Sequence, residues 1–310
     1  MILVCGEALV DAVKNPDGTQ RLMPGGGPFN TARALARLGV PAAFLGHLST
    51  DELGRNLAEL LTAEGVNLEL ATYGPEPTTL AVAQVDAAGL AEYEFFPDGT
   101  SAPNLTPSMI PDELSPKITA LHVGTLGLVL EPMASTLTDL LQRERSQRLV
   151  MLDPNIRPAV VAANLEYRDR LTRLMAQSTI VKASETDLRW LRPGLGYEAA
   201  ATGMLDAGAQ LVVVTLASQG AFAITQRMRV SVKAPSIDVV DTIGAGDAFS
   251  AGLLAWLYDH DRISVDLTLE ADELRSALDF GCLAASLTCA GAGAQPPTRA
   301  EIDRARPLGS

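Results

Sequence analysis

The run Asp241-Thr242-Ile243-Gly244-Ala245-Gly246-Asp247-Ala248-Phe249-Ser250-Ala251-Gly252 combines a glycine-rich turn with an acid. From Ala248 onward, Phe249, Leu253, Trp256 and Leu257 recur at three- and four-residue steps, the period of a helix with one buried face. A glycine turn feeding a helix N-terminus presents unpaired N–H groups at the positive end of the helix dipole, which suits a phosphate or a developing negative charge. Asp247 conflicts with that use, because a carboxylate repels an anion. The conflict disappears if Asp247 takes a proton from a hydroxyl while the adjacent amides hold the phosphoryl group under attack. The plainer alternative is an ordinary helix start with an acid in its first turn. A dinucleotide fingerprint would need glycine where Phe249 stands. A P-loop would need a lysine after glycine, and Lys14, Lys117, Lys182 and Lys233 all follow other residues.

The elements that must position this turn follow from the rest of the chain. Its 310 residues, 47% hydrophobic, suffice for one large α/β domain over residues 1–310. The net charge of −13 argues against nucleic-acid and anionic-membrane partners. Cys5, Cys282 and Cys289 have no paired spacing and read as reduced thiols of a cytoplasmic protein. No leader-like segment precedes Ile2, and no apolar run has the length of a membrane span.

Strands and helices alternate. Strands are expected at Ile2–Val4, Ala42–Leu45, Ala120–Val123, Leu149–Leu152, Ile180–Lys182 and Leu211–Thr215. Between them, helices are expected at Pro28–Leu38, from a Ser49-Thr50-Asp51 cap to Ala63, at Pro132–Arg145, near Tyr167–Ala176 and at Glu185–Leu191. Such alternation specifies a doubly wound, mostly parallel sheet flanked by helices. Residues 20–24, and Leu80–Val85 with Ala91–Phe96 about the turn Asp86-Ala87-Ala88-Gly89, read instead as antiparallel strands. This inserted β element, about 13–24 and 75–100, reads as a lid over the site, an interface or a decoration. A third antiparallel stretch, Ala221–Ile224 with Val230–Lys233, extends one sheet edge, and the tail beyond Pro296 reads as a surface helix or frayed end.

Ligands of doubly wound sheets sit beyond the carboxyl ends of the strands. Those loops offer Gly6-Glu7 with Asp11, then Gly25-Gly26-Gly27 with Asn30, then Asp153, Asn155 and Arg157, then Ser184, Glu185 and Asp187, and finally Ala217, Ser218 and Gly220. His47, His122 and His260 are scattered and read as structural or surface residues. A metal cage built by the protein is not expected, whereas Mg²⁺ carried on nucleotide phosphates needs only one or two carboxylates.

Gly25-Gly26-Gly27-Pro28-Phe29-Asn30 resembles the Gly-Gly-x-x-x-Asn element of the ribokinase-like (PfkB) sugar kinases, and Asp241–Asp247 resembles their Asp-Thr-x-Gly-Ala-Gly-Asp element. The resemblance covers nearly the whole chain, including the hairpin where that family has its β lid. It implies ATP-dependent phosphorylation of a sugar's primary hydroxyl. Asp247 would be the base, and the amides of Gly244, Ala245 and Gly246 the anion hole. Asp11, Gly26, Gly27, Asn30, Phe96 and Arg157 would contact the sugar. Lys182, Ser184, Thr215, Ala217, Gly220, Cys282 and Ser286 would line the nucleotide. Related kinases bind K⁺ beside an acid at the position of Asp241, with Cys289 and Gly293 where the other half of that site would lie. ATP and Mg²⁺, with K⁺ as an optional second cation, are the implied cofactors, and a homodimer through the lid is the implied assembly.

Two departures refine the resemblance. The family's Asn-x-x-Glu element stands here as Ser184-Glu185-Thr186-Asp187, which leaves Asp187 a Mg²⁺ contact through phosphates or water. The lid end Phe95-Phe96-Pro97-Asp98-Gly99 lacks the arginine that acidic keto-sugars require, so a neutral sugar is expected. The opening and Val181-Lys182-Ala183-Ser184 lean towards the fructokinase branch, with ribokinase, 2-keto-3-deoxygluconate kinase and nucleoside kinase as alternatives. A catalytically idle sugar- or nucleotide-binding homologue is the reading from a different class.

Overall fold

The computed structural model describes residues 1–14, 20–85, 91–161 and 166–305. Its strands are β1 (Ile2–Cys5), β2 (Leu9–Lys14), β3 (Gln20–Gly25), β4 (Ala42–Leu45), β5 (His47–Ser49), β6 (Thr72–Gly74), β7 (Leu80–Val85), β8 (Ala91–Phe96), β9 (Ala120–Gly124), β10 (Leu149–Asp153), β11 (Ile180–Ser184), β12 (Leu211–Thr215), β13 (Ala221–Ile224) and β14 (Arg229–Val232). The helices are α1 (Gly27–Arg37), α2 (Glu52–Ala63), α3 (Met133–Glu144), α4 (Pro158–Val161), α5 (Tyr167–Ala176), α6 (Glu185–Leu191), α7 (Tyr197–Ala207), α8 (Ala245–Asp259), α9 (Ala271–Cys289) and α10 (Arg299–Ala305).

The main sheet runs β14-β13-β12-β11-β10-β9-β1-β4. Every pairing from β4 to β12 is parallel, and β13 and β14 add antiparallel at one edge. The strand residues alternate between two cores, as a pleat requires. Ile2 and Val4 face the core built with α1, α2, α8 and α9, while Leu3 and Cys5 face the one built with α3, α5, α6 and α7. After β1 the chain crosses to β4 on one side and later returns to β9 on the other. The crevice between the carboxyl ends of β1 and β9 is therefore the topological switch point, where ligands of such sheets bind.

The inserted strands form a separate sheet in the order β3-β2-β7-β8. Two antiparallel pairs are joined by the parallel pair β2–β7, so the insertion is mixed at its centre rather than antiparallel throughout. It also begins earlier than expected, at Leu9. The expected turn at 86–89 lies outside the described residues. His47 belongs to a two-stranded sheet of β5 and β6 that periodicity did not suggest. Its buried ring meets Thr72 Oγ1 at 2.8 Å and Glu76 Oε2 at 3.2 Å, a structural role. Asp51 caps α2 by accepting from the Gly54 N–H at 2.8 Å. No described helix is long and apolar enough to cross a membrane.

Candidate active site

Helix α8 starts at Ala245 from Gly244, whose φ of 77° lies in the left-handed region. A Cβ on Gly244 would also come within 2.7 Å of the Ala294 Cβ, so glycine is required there by both backbone and packing. Ala245 N donates to Thr242 O over a long 3.3 Å. The other first-turn amides have no intrahelical partner by helix geometry. Gly244 and Ala245 are half-buried and Gly246 is exposed, which leaves the turn open to an incoming anion.

Asp247 lies one residue further on and is buried. Its Oδ2 accepts from Asn30 Nδ2 at 2.9 Å, which joins the turn to α1 on the same face of the sheet. Asn30 Oδ1 has no partner among the described residues, leaving an acceptor for a ligand hydroxyl. A Cβ on Gly27 would collide with Thr125 Oγ1 and sit 3.3 Å from Asp247 Oδ1. Glycine at position 27 thus keeps the space beside the Asp247 carboxylate open. Asp11 and Gly25 pack side chain to backbone, which brings β2 to the same place.

Burial pushes Asp247 up to about 6. Asn30 opposes the shift, Asp153 adds to it, and Lys182 and Arg157 oppose it. Burial also raises Asp11 to about 6, with Arg157 pulling it down. The charge of Arg157 therefore acts on both carboxylates, while its guanidinium donates to Asn155 Oδ1 at 2.6 Å. Both acids must be ionised to accept protons or hydroxyl hydrogens. The kcat/KM of the free protein should accordingly fall as pH drops through about 6, with a limb steeper than one proton. A flat profile between about pH 5 and 8 would contradict both roles.

Behind the turn lies a buried polar cluster. Asp153 at the end of β10, His122 within β9 and Lys182 within β11 share the α8 face by the two-residue alternation of the pleat. Lys182 Nζ donates to Asp153 Oδ2 at 2.8 Å, and Ser250 Oγ of α8 approaches the same oxygen at 3.3 Å. Burial alone would lower the Lys182 ammonium, but Asp153 holds it above its ordinary value. A Cβ on Gly246 would lie 3.1 Å from Lys182 Nζ, so the cation stands directly behind the anion-binding turn. Buried beside it, His122 is pushed down to about 3 and stays neutral.

The residues expected at the site thus separate into groups. Asp247, Gly244–Gly246, Asn30, Gly27, Asp11 and Arg157 are brought together. Gly26 is the N-cap of α1, next to them. Phe96, half-exposed, ends β8 at the edge of the inserted sheet. Thr215 ends β12 and Ala217 follows it, whereas Gly220 is buried with its Cα against the Val232 carbonyl. Lys182 is committed to Asp153 rather than open to a nucleotide. Cys282 is a core residue, its thiol pushed up to about 12 by burial, and Ser286 is buried one turn later.

Asp187 departs from the metal role expected of it. With Ser184 it closes a capping box on α6, its Oδ2 accepting from Ser184 N and Oγ and its Oδ1 from Ile156 N. One methylene shorter than glutamate, it shapes the helix start instead of reaching outward. Asp241 accepts from Ile243 N at 3.0 Å and from Gly293 N at 2.8 Å, and its own N–H donates to Cys289 O at 3.2 Å. Both halves expected of a cation site therefore meet there.

Sequence reasoning noted Glu7 without giving it a task. Its Oε1 accepts from Gly27 N at 3.2 Å and its Oε2 from Gly127 N at 3.1 Å. Burial lifts this carboxyl to about 8, against the pull of those backbone donors. It staples the turn opening α1 to the turn after β9.

Residues 1–301 match the model of the pfkB family of carbohydrate kinases. A fructokinase of Rhizobium leguminosarum bv. trifolii is 40% identical over 261 residues, covering 83% of this chain and 79% of its own. Fructokinase-1 of Oryza sativa subsp. japonica is 31% identical over 316 residues, covering 97% and 96%. Among solved structures, a fructokinase of Vibrio cholerae with fructose, ADP and calcium bound superposes with TM-score 0.85 at 27% identity, covering 98% and 97%. An ATP-bound fructokinase of Xylella fastidiosa gives TM-score 0.90 at 24% identity, covering 98% and 97%, a likeness of fold.

Proposed function

As this chain belongs to the pfkB family of carbohydrate kinases, we propose that it transfers the γ-phosphoryl group of ATP to the C6 hydroxyl of fructose. The observation that carries this reading is the pairing of Asp247 with the open first turn of α8. A buried carboxylate, fixed by Asn30 beside the cleared space at Gly27, faces amides with no helix partner. Asn30 Oδ1, Asp11 and Arg157 hold the sugar hydroxyls. Asp247 receives the proton of the attacking hydroxyl, and the Gly244–Gly246 amides, backed by Lys182, stabilise the charge on the transferring group. Little else is required of the protein beyond in-line positioning.

Cation chemistry enters with the substrates. Mg²⁺ arriving on the ATP phosphates needs only one or two protein carboxylates. The carboxylate with an acceptor to offer is Asp153, whose Oδ1 lacks a partner, and it would reach such an ion through a bridging water. The ion supplies charge neutralisation on the phosphates. A monovalent cation beside Asp241 and the Cys289 carbonyl belongs to the same proposal, as does a cytoplasmic setting that keeps the three free thiols reduced.

A neutral sugar is favoured by the outer end of the cleft. A cavity of about 640 Å³ runs under the lid, lined by Asp98, Glu131, Glu166, Asn104 and Val160 among others, with no basic side chain. Asp247 does not line it, so it would meet substrate groups remote from the reaction, and a carboxylate there would be repelled. Release of ADP from ATP–Mg²⁺, with and without K⁺, across fructose, ribose, 2-keto-3-deoxygluconate and nucleosides tests the proposal. Fructose should be turned over at least about tenfold more efficiently than the others. Turnover confined to another acceptor would replace it, and nucleotide binding without any turnover would point to an idle homologue.

A further inference from the structure

Thr125, the first residue after β9, has a φ of 55°. A β-branched side chain rarely adopts the left-handed region, and strain of this kind persists where function requires it. Of the three other described non-glycine residues with positive φ, Asp261 follows α8, while Asn155 and Ala217 lie two positions past β10 and β12, so most of the strain gathers at the carboxyl ends of the sheet. Among them, Thr125 stands at the switch point beside β1.

The strain delivers a hydroxyl. Thr125 Oγ1 and Asp247 Oδ1 border the same point over Gly27, the place a Cβ on that residue would fill. Glu7 holds the approach together, because its two oxygens tie Gly27 to Gly127 in the turn that Thr125 opens. From the far side, Gly124 is pressed against the Asp153 carbonyl. Thr125 is itself largely buried, and its hydroxyl has no hydrogen-bond partner among the described residues. An unpartnered polar group aimed at the reacting carboxylate is a group waiting for a ligand.

We propose that Thr125 is a substrate-contacting residue whose hydroxyl hydrogen-bonds a sugar hydroxyl neighbouring the one that Asp247 deprotonates. That bond selects the orientation of the reacting hydroxymethyl arm, a role that rests on the sugar-kinase reading above. Asp247 supplies the base, and Thr125 decides which hydroxyl reaches it.

Three variants test this by steady-state kinetics and thermal melting. Thr125→Val keeps the branched shape and loses the hydroxyl, so kcat/KM for fructose should fall roughly tenfold or more, with KM for ATP within about twofold of the parent. Thr125→Ser keeps the hydroxyl and should retain at least about a third of the parent kcat/KM. Thr125→Gly, relieved of strain, should melt at or above the parent temperature while losing as much kcat/KM as valine. Activity of the valine variant within about twofold of the parent overturns the proposal, as does a serine variant as poor as valine. If the valine variant does not fold, the glycine variant decides by the same limit. A parent that phosphorylates no sugar removes the functional assignment and this inference together, whereas an active parent beside an equally active valine variant removes only the inference.

Discussion

Replacement of Asp247 by asparagine should lower kcat with fructose and ATP by about 10²–10⁴-fold, the range for loss of a positioned general base. The amide is nearly isosteric, and its carbonyl can still accept from Asn30 Nδ2, which now bonds Asp247 Oδ2 at 2.9 Å. The architecture around Gly27 is therefore kept, and sugar affinity, measured by calorimetry, should change by less than about threefold. What disappears is the acceptor for the proton of the attacking hydroxyl. The acid limb of the pH profile set by Asp247 should vanish with it. Retention of more than about a tenth of the parent kcat would contradict the role of base.

The largest effect on stability is expected from Lys182→Met. Lys182 and Asp153 form an ion pair with side chains 5% and 4% exposed. Removing the ammonium leaves Asp153 buried with only Ser250 at 3.3 Å as partner. Breaking such a pair from one side costs about 3–5 kcal/mol, or roughly 5–15 °C in Tm for a chain of this size. The double variant Lys182→Met/Asp153→Leu should recover part of the loss, because no charge is then stranded. A single variant that melts within about 2 °C of the parent would show that the ammonium does not offset the burial of Asp153.

Much of the site was legible because its chemistry is local. Gly244, Ala245, Gly246 and Asp247 fall within one turn, and their residue types alone imply an anion beside a base. Asn30 was legible for the same reason, three residues into a helix opened by glycines. Glu7 and Thr125 were harder to read because their roles exist only when β1 and β9 lie side by side. The signal for Thr125 was nonetheless present, since a polar residue directly follows the expected strand Ala120–Val123 and its glycine, at a strand's carboxyl end. The family resemblance placed Lys182 at the nucleotide, and residue spacing cannot show that its ammonium pairs with Asp153. Asp187 was misjudged similarly, its carboxylate being spent on α6.

The sheet was read well because parallel strands buried on both faces are continuous apolar runs. Helix α9 escaped notice because its buried face is built largely from Ala, Gly, Cys and Ser, which gives weak contrast with its polar side. The resemblance put Cys282 near the nucleotide, whereas the structure packs it in the core. Strand β2 was hidden in the short span between β1 and the glycines, where Asp11 interrupts the apolar pattern.

The central claim, that Asp247 directs the phosphoryl group to the terminal hydroxyl of fructose, is tested most directly by the product itself. Incubation with fructose and ATP–Mg²⁺, followed by ³¹P and ¹³C NMR, should show a single phosphate ester coupled to the C6 methylene. Phosphate on C1, or no phosphorylated fructose at all, would contradict it.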